Sequence, residues 1–318
     1  MTKELLKNNF GKIGILFGGP SSEREISLKS GNAVVEALRN ANLNAVGIDI
    51  KTDNEQEVKS LVKDSGISVA FIALHGKFGE DGGIQEILDD MRIPYTGSGV
   101  IASRLAMDKI ASRKIFESNN IPVPGSSVFV SMREVESFAK KHEFNGSVFV
   151  VKPSSQGSSV GVFFVDNRDA LLKASNDALK YDGKIIIEDY LKGRELTVGI
   201  LEDKPLPVVE ILPKKQFFDF QAKYEKGMTD YDVPAKLPQD IAQKAQATGL
   251  KAHKSLGCHC FSRVDIILKD NTPYVLEVNS IPGLTATSLL PKAAKVVNID
   301  FLGLCLRIIR DAYAKKKA

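Results

Sequence analysis

The chain has 318 residues, with 43 Lys and Arg against 39 Asp and Glu for a formal charge of +4; this length predicts about two domains and enough chain to bury a core. Hydrophobic content of 43% and charged content of 26% exclude a disordered chain, a collagen-like repeat and a disulfide-stapled miniprotein. Three cysteines, a short polar N-terminus and the lack of any eighteen-residue apolar run predict a cytoplasmic protein with no membrane span, and so small a charge makes no case for nucleic acid.

Residues 13–17 form a short apolar run stopped by Gly18-Gly19-Pro20. Ser22-Glu23-Arg24-Glu25 has the spacing of a capping box and predicts a helix whose apolar face carries Ile26, Ala33, Ala37 and Ala41. Segments 45–50 and 69–74 read as further buried strands, and 83–91 as a helix. Short apolar strands alternating with helices predict a parallel sheet covered on both faces. Ligands in such sheets sit at the carboxyl ends of the strands, here Gly18-Gly19 and His75-Gly76. One helix is expected over 106–121, ended by Pro122 and Pro124. A β-rich region follows, with strands at 126–130, 147–153, 161–165 and 184–188 and helices at 133–142 and 168–180. The last third shows strands at 196–201, 207–212, 261–269 and 273–278, then helices opening near Ser288 and Asp300. Between them 217–234 is polar and aperiodic, and reads as a long binding loop or lid.

Five places are weighed for chemistry. The small-residue loop from Ser154 to Gly161 lies between two strands, after Lys152; it reads either as a phosphate cradle or as a plain hairpin, and it is not a P-loop. Arg263-Val264-Asp265 and Glu277-Val278-Asn279 give the strongest signal. Alternation puts each polar pair on one strand face, and Asp, Glu and Asn oxygens are the donors Mg²⁺ prefers. The Pro282-Gly283 turn followed by a helix start at Ser288 suits a carboxylate or an oxyanion, and equally an ordinary strand–turn–helix. Gly97-Ser98-Gly99-Val100-Ile101-Ala102 matches a dinucleotide fingerprint but does not follow the opening strand of a βαβ unit. Cys258-His259-Cys260 reads as buried free thiols rather than a metal site.

Together these segments resemble the D-alanine–D-alanine ligases of the ATP-grasp superfamily. The resemblance rests on Gly18 to Glu25, His75 to Gly82, Met107-Asp108-Lys109, Lys152-Pro153 with Gly157 to Gly161, Lys223-Tyr224, Arg263 to Asp265, and Glu277 to Gly283. It implies an α/β and α+β multi-domain fold, with an N-terminal parallel sheet domain (1–104) binding the first D-alanine, a central lid domain (105–187) and a C-terminal catalytic domain (188–318), the last two forming a two-part ATP-grasp fold. It also implies ATP-dependent ligation of two D-alanines through an acyl phosphate, for peptidoglycan synthesis, by a homodimer. Carried over by position, Lys109, Lys152 and Lys223 serve the phosphates; Glu188, Leu191 and Glu195 serve adenine and ribose. Asp265, Glu277 and Asn279 bind two Mg²⁺ or Mn²⁺ ions. Glu23, with Ser158, Tyr224 and nearby His75, takes the first D-alanine. Arg263 and the Gly283 N–H form the oxyanion hole, and Ser288 and Leu289 receive the second carboxylate. The chain departs from the family pattern at Glu86, Cys260, Ser280 and Leu284 without losing a charged or metal-binding group. A D-alanine–D-lactate ligase, another carboxylate–amine ligase of the superfamily and a dinucleotide-dependent oxidoreductase are the alternatives.

Overall fold

The computed structural model describes residues 10–142, 144, 146–157, 160–213 and 229–315. Its first layer is a parallel sheet in the order β2-β1-β3, built from β1 (Ile13–Gly18), β2 (Ala45–Ile50) and β3 (Val69–Ile72). Helices α1 (Arg24–Asn40) and α2 (Glu55–Ser65) make the crossovers. Every residue of β1 is buried, as a central strand covered on both faces must be.

The expected face of α1 is out of phase. Its buried residues are Ser27, Ser30, Gly31, Val34, Val35 and Leu38, whereas Ile26, Ala33, Ala37 and Ala41 are only partly covered. Packing is the reason: Gly31 lies so close to the Phe17 ring that a Cβ would overlap it. The Ser27 hydroxyl donates to the Ala73 carbonyl at 2.7 Å and accepts the Gly18 N–H at 2.8 Å. Small polar residues therefore occupy the stripe that apolarity alone assigns elsewhere. The capping box does not form either. Glu23 is the N-cap without a side-chain cap bond, and its own N–H goes to Ser21 Oγ at 3.2 Å.

After α3 (Gly83–Asp90), the helix expected over 106–121 is two helices, α4 (Val100–Met107) and α5 (Lys109–Ser118). Asp108 breaks them in extended backbone, its carboxylate accepting the Ile110 and Ala111 N–H groups at 2.9 and 3.0 Å; an N-cap inside an apolar period restarts the helix. Gly99 is the N-cap of α4, so the glycine-rich segment opens no βαβ unit.

Two antiparallel sheets follow. The first has order β4-β7-β5-β6, from β4 (Ser126–Phe129), β5 (Phe149–Pro153), β6 (Phe163–Val165) and β7 (Ile185–Asp189), with α6 (Met132–Lys141) and α7 (Arg168–Asp182) packed on it. The second runs β11-β10-β8-β12-β13, from β8 (Arg194–Leu201), β10 (Val209–Pro213), β11 (Thr229–Asp232), β12 (Phe261–Lys269) and β13 (Thr272–Asn279), with β9 (Lys204–Pro205) on β8. Strand β11 corrects the expected 217–234 loop over its last part; 217–228 lie outside the described residues. Helix α8 (Gln239–Ser255) has no counterpart in the sequence reading. Its buried face is Ile241, Ala245, Gly249, Ala252 and His253, too small and polar to signal a helix by periodicity. Finally α9 (Leu289–Val296) and α10 (Phe301–Lys315) fold back on the first layer, so that Leu304, Ile308 and Ile309 share one core with Ile13, Phe71 and Phe261.

Candidate active site

The site is assembled where β12 and β13 face the smaller antiparallel sheet. Their register pairs Arg263 with Asn279 and Asp265 with Glu277, which puts four polar side chains on one face, as alternation predicts. Arg263 grips Asp265 at two points, Nε to Oδ1 at 2.9 Å and Nη2 to Oδ2 at 2.8 Å. Asn279 Nδ2 donates to Asp265 Oδ2 at 3.2 Å, and Thr197 Oγ1 on β8 donates to Oδ1 at 2.8 Å. The Arg263 and Asp265 side chains are 18% and 15% exposed, so the mutual pairing offsets the cost of burying their charges. The register shifts between Asp265 and Ile266, a local irregularity of the kind that re-aims side chains beside active sites.

Two lysines form the opposite wall. Lys152, on β5, donates from Nζ to Glu188 Oε2 at 2.6 Å, and Arg113 of α5 approaches Glu188 Oε1 at 3.4 Å. Lys109 opens α5, donates to the Gln156 carbonyl at 2.5 Å and stands 3.8 Å from Glu277. Between the walls runs a cleft whose lining includes Lys109, Lys152, Glu188, Leu191, Glu195, Asp265 and Glu277. Val150, Phe164 and Ile266 make part of it apolar. Burial, with the Glu195 charge adding to it, pushes the Tyr190 phenol in this lining above its ordinary pKa. The arrangement offers a slot for a planar ring at one side and cations for an anionic chain at the other.

A smaller chamber adjoins it, sharing Lys109, Gln156 and Glu277 and adding Glu80, Gly157 and Asn279. Glu23, buried at 9% exposure, comes up against the loop here. A Cβ on Gly157 would stand 2.8 Å from its Oε2, and one on Gly76 2.5 Å, so both positions need glycine for close approach. His75 is buried with Nε2 3.1 Å from Ser30 Oγ and Nδ1 3.5 Å from Glu80. The same Ser30 hydroxyl accepts the Leu284 N–H at 3.3 Å, which ties α1 to the turn after β13. On that turn Gly283 packs against Ser288, whose Oγ accepts the Thr285 N–H at 3.0 Å. Ser288 is therefore the N-cap residue of α9 without a side-chain cap bond, and the first N–H groups of that helix, beginning at Leu289, carry the partial positive charge of a helix start.

Of the sequence-predicted residues, the structure brings Lys109, Lys152, Glu188, Leu191, Glu195, Asp265 and Glu277 to the larger cleft and Asn279 to the chamber beside it. Glu23 and His75 stand at the N-terminal edge, while Gly283, Ser288 and Leu289 share the turn and helix start after β13. Ser158, Lys223 and Tyr224 lie outside the described residues. Sequence reading missed Thr197, Arg113 and Tyr190. Nothing local marks them, because each matters through a partner on another element. The three cysteines are buried and form no disulfide, and His259 pairs with Asp311 at 2.8 Å. Among the described residues no group of three or more His, Cys, Asp or Glu could hold a metal ion. Two carboxylates and one amide at Asp265, Glu277 and Asn279 are thus a partial oxygen shell, suited to an ion that takes its remaining ligands from phosphate and water.

The chain matches the family model described as D-ala D-ala ligase C-terminus over residues 115–310, and that described as D-ala D-ala ligase N-terminus over residues 12–66 and 51–98. It is 45% identical over 316 residues to a D-alanine–D-alanine ligase of Geotalea uraniireducens, covering 99% of each chain. Among solved structures, the D-alanine–D-alanine ligase of Bacillus anthracis aligns with a TM-score of 0.84 at 35% identity, over 96% of this chain and 98% of that one. The same enzyme complexed with ATP aligns with a TM-score of 0.81 at 32% identity, again over 96% and 98%.

Proposed function

This chain belongs to the D-alanine–D-alanine ligase family, and from that premise we propose how its cleft works. The enzyme joins two D-alanines into D-alanyl-D-alanine for bacterial peptidoglycan, with ATP consumed to ADP and phosphate. A carboxylate oxygen is a poor leaving group, so the first D-alanine is phosphorylated before the second attacks. Phosphoryl transfer is accelerated chiefly by positioning and charge neutralisation.

Glu188, Leu191 and Glu195 take adenine and ribose, and Lys109 and Lys152 neutralise phosphate oxygens. Lys152 then gives up part of its hold on Glu188, which Arg113 continues to balance. Glu23, beside His75, receives the ammonium of the first D-alanine. The amine of the second attacks the acyl phosphate, and the oxyanion is met by Arg263 and the Gly283 N–H, while Ser288 and the start of α9 take its carboxylate. The family pattern adds Ser158 and Tyr224 to the first subsite and Lys223 to the transferred phosphate. Asp265, Glu277 and Asn279 suit two Mg²⁺ or Mn²⁺ ions, because the Asn279 amide spends an N–H on Asp265 and keeps its oxygen for an ion. When bound, such ions neutralise charge building on phosphate oxygens. We assign residues 1–104 to the first D-alanine, 105–187 to the lid and 188–318 to catalysis. The reading extends to a cytoplasmic homodimer, its compartment supported by three cysteines that form no disulfide.

The observation that carries the proposal is the register of β12 on β13, which sets Asp265 directly across from Glu277 with Lys109 3.8 Å beyond. Phosphate release from ATP should require D-alanine and a divalent ion, and should not occur with L-alanine. Release with L-alanine alone, or with neither, overturns the reading.

A further inference from the structure

Helix α7 ends on Asp182, followed by Gly183 in left-handed backbone. By helix rules an acid is poorly placed there, because the C-terminal end of a helix carries partial negative charge. Its contacts are with the chain that leaves β5. Oδ2 accepts the Ser155 N–H at 2.6 Å and the Ser154 hydroxyl at 3.2 Å, and Oδ1 accepts the Lys184 N–H at 3.3 Å. The Ser154 N–H donates to the Lys184 carbonyl at 3.1 Å, which carries the pairing of β5 with β7 past Pro153. One carboxylate thus ties down the root of the segment running from Ser154 to Gly157.

That segment meets the site at each step. The Ser154 carbonyl accepts the Lys109 N–H at 2.9 Å, and the Gln156 carbonyl accepts the Lys109 ammonium at 2.5 Å. Gln156 lines both the cleft and the chamber, and Gly157 lies close against Glu23. The Ser154 carbonyl and the Ser155 N–H belong to one planar peptide unit. Lys109 and Asp182 therefore grip the same rigid plane from its two sides. Fixing the N–H fixes the direction of the carbonyl, and with it the chain that carries the Gln156 carbonyl to the lysine ammonium. Asp182 itself lines neither space, so any effect it has on a ligand passes through these neighbours.

We propose that Asp182 is a positioning residue for the nucleotide phosphates: by holding the Ser154–Ser155 peptide it aims the Lys109 ammonium before ATP arrives. The inference rests on the ligase reading, in which Lys109 meets phosphate oxygens, and deepens it. A binding group set in place beforehand by its supports loses much of its effect when those supports loosen.

The test uses the full-length enzyme. Asp182→Ala should weaken ATP binding, measured by calorimetry, about tenfold, as expected for loss of a charge-assisted hydrogen bond. Adenosine binding should stay within about twofold, since adenosine has no phosphate for Lys109 to meet. Asp182→Asn keeps an oxygen for the Ser155 N–H and should recover most of the loss. In a Lys109→Met background, Asp182→Ala should change ATP binding by less than about twofold, because the two substitutions remove one linked interaction. A purely structural acid would weaken ATP and adenosine alike and act additively with Lys109→Met; either result overturns the proposal, as does unchanged ATP binding in Asp182→Ala. In the ligand-free wild type, the Ser155 amide should exchange with deuterium at least about 100-fold more slowly than an unstructured amide. Unprotected exchange there overturns the proposal whatever the folding of the variants. Wild-type enzyme that releases no phosphate with D-alanine refutes the ligase reading itself, which is a separate result.

Discussion

Asp265 accepts four hydrogen bonds, two from Arg263 and one each from Thr197 and Asn279, and this crowding makes single residues informative. Arg263→Ala removes an oxyanion donor and leaves Asp265 short of a counter-charge. It should keep ATP binding, measured by calorimetry, and lose about 10²- to 10³-fold in turnover. Thr197→Val touches no substrate but removes one of the two hydrogen bonds that orient Asp265 Oδ1. The divalent-ion concentration for half-maximal rate should rise about tenfold, with turnover restored at saturating ion. The cysteines answer a different question. Burial pushes the Cys258 thiol up to about 11, and Cys305 is raised in the same way. Iodoacetamide at pH 8 should therefore leave these two thiols unmodified in the native protein and alkylate both in urea.

The elements show why local rules succeed in some places and fail in others. Strands β12 and β13 were legible because alternation of polar and apolar residues tells which side chains share a face. The break at Asp108 and the phase of α1 were not, since cap bonds and the Phe17–Gly31 contact outweigh a weak apolar period. Helix α8 also brings a buried polar link that no motif announces. His253 is fully buried, with Nδ1 2.7 Å from Ser262 Oγ and Nε2 3.0 Å from Asp203; Ser262 immediately precedes Arg263. Burial lowers the His253 pKa below its ordinary 6.5, and His259 and Lys254 add to this while Asp203 opposes it. Above about pH 6.5 the ring is neutral in both folded and unfolded chains, and its contribution is complete. As pH falls below that value the unfolded chain takes up the proton first, so stability is lost on acidification through the folded pKa. Urea unfolding between pH 7.5 and 5.5 should show this decline, and His253→Gln should flatten it.

At the scale of the whole molecule, the C-terminal helices complete the core of the first sheet, and the site is stretched between those distant parts of the chain. Leu304 is fully buried in that shared core. Leu304→Ala should cost about 2–5 kcal/mol in urea unfolding, by lost transfer energy and the cavity left behind. It should also lower the affinity for D-alanine, because the Ser30–Leu284 bond spans the same contact. The amino-acid order by itself determined the residue types, the strand faces and the class of chemistry: hard oxygens on two strands, lysines beside a small-residue loop, and a turn leading into a helix. Only the tertiary structure decided which strands adjoin and in what register. It alone set Thr197 on Asp265, Glu188 between Lys152 and Arg113, Ser30 on Leu284 and Asp182 on Ser155. A period in sequence tells a side chain which way to point along its own element. The partner it meets is chosen by burial and pairing summed over the whole chain, and that information is not local.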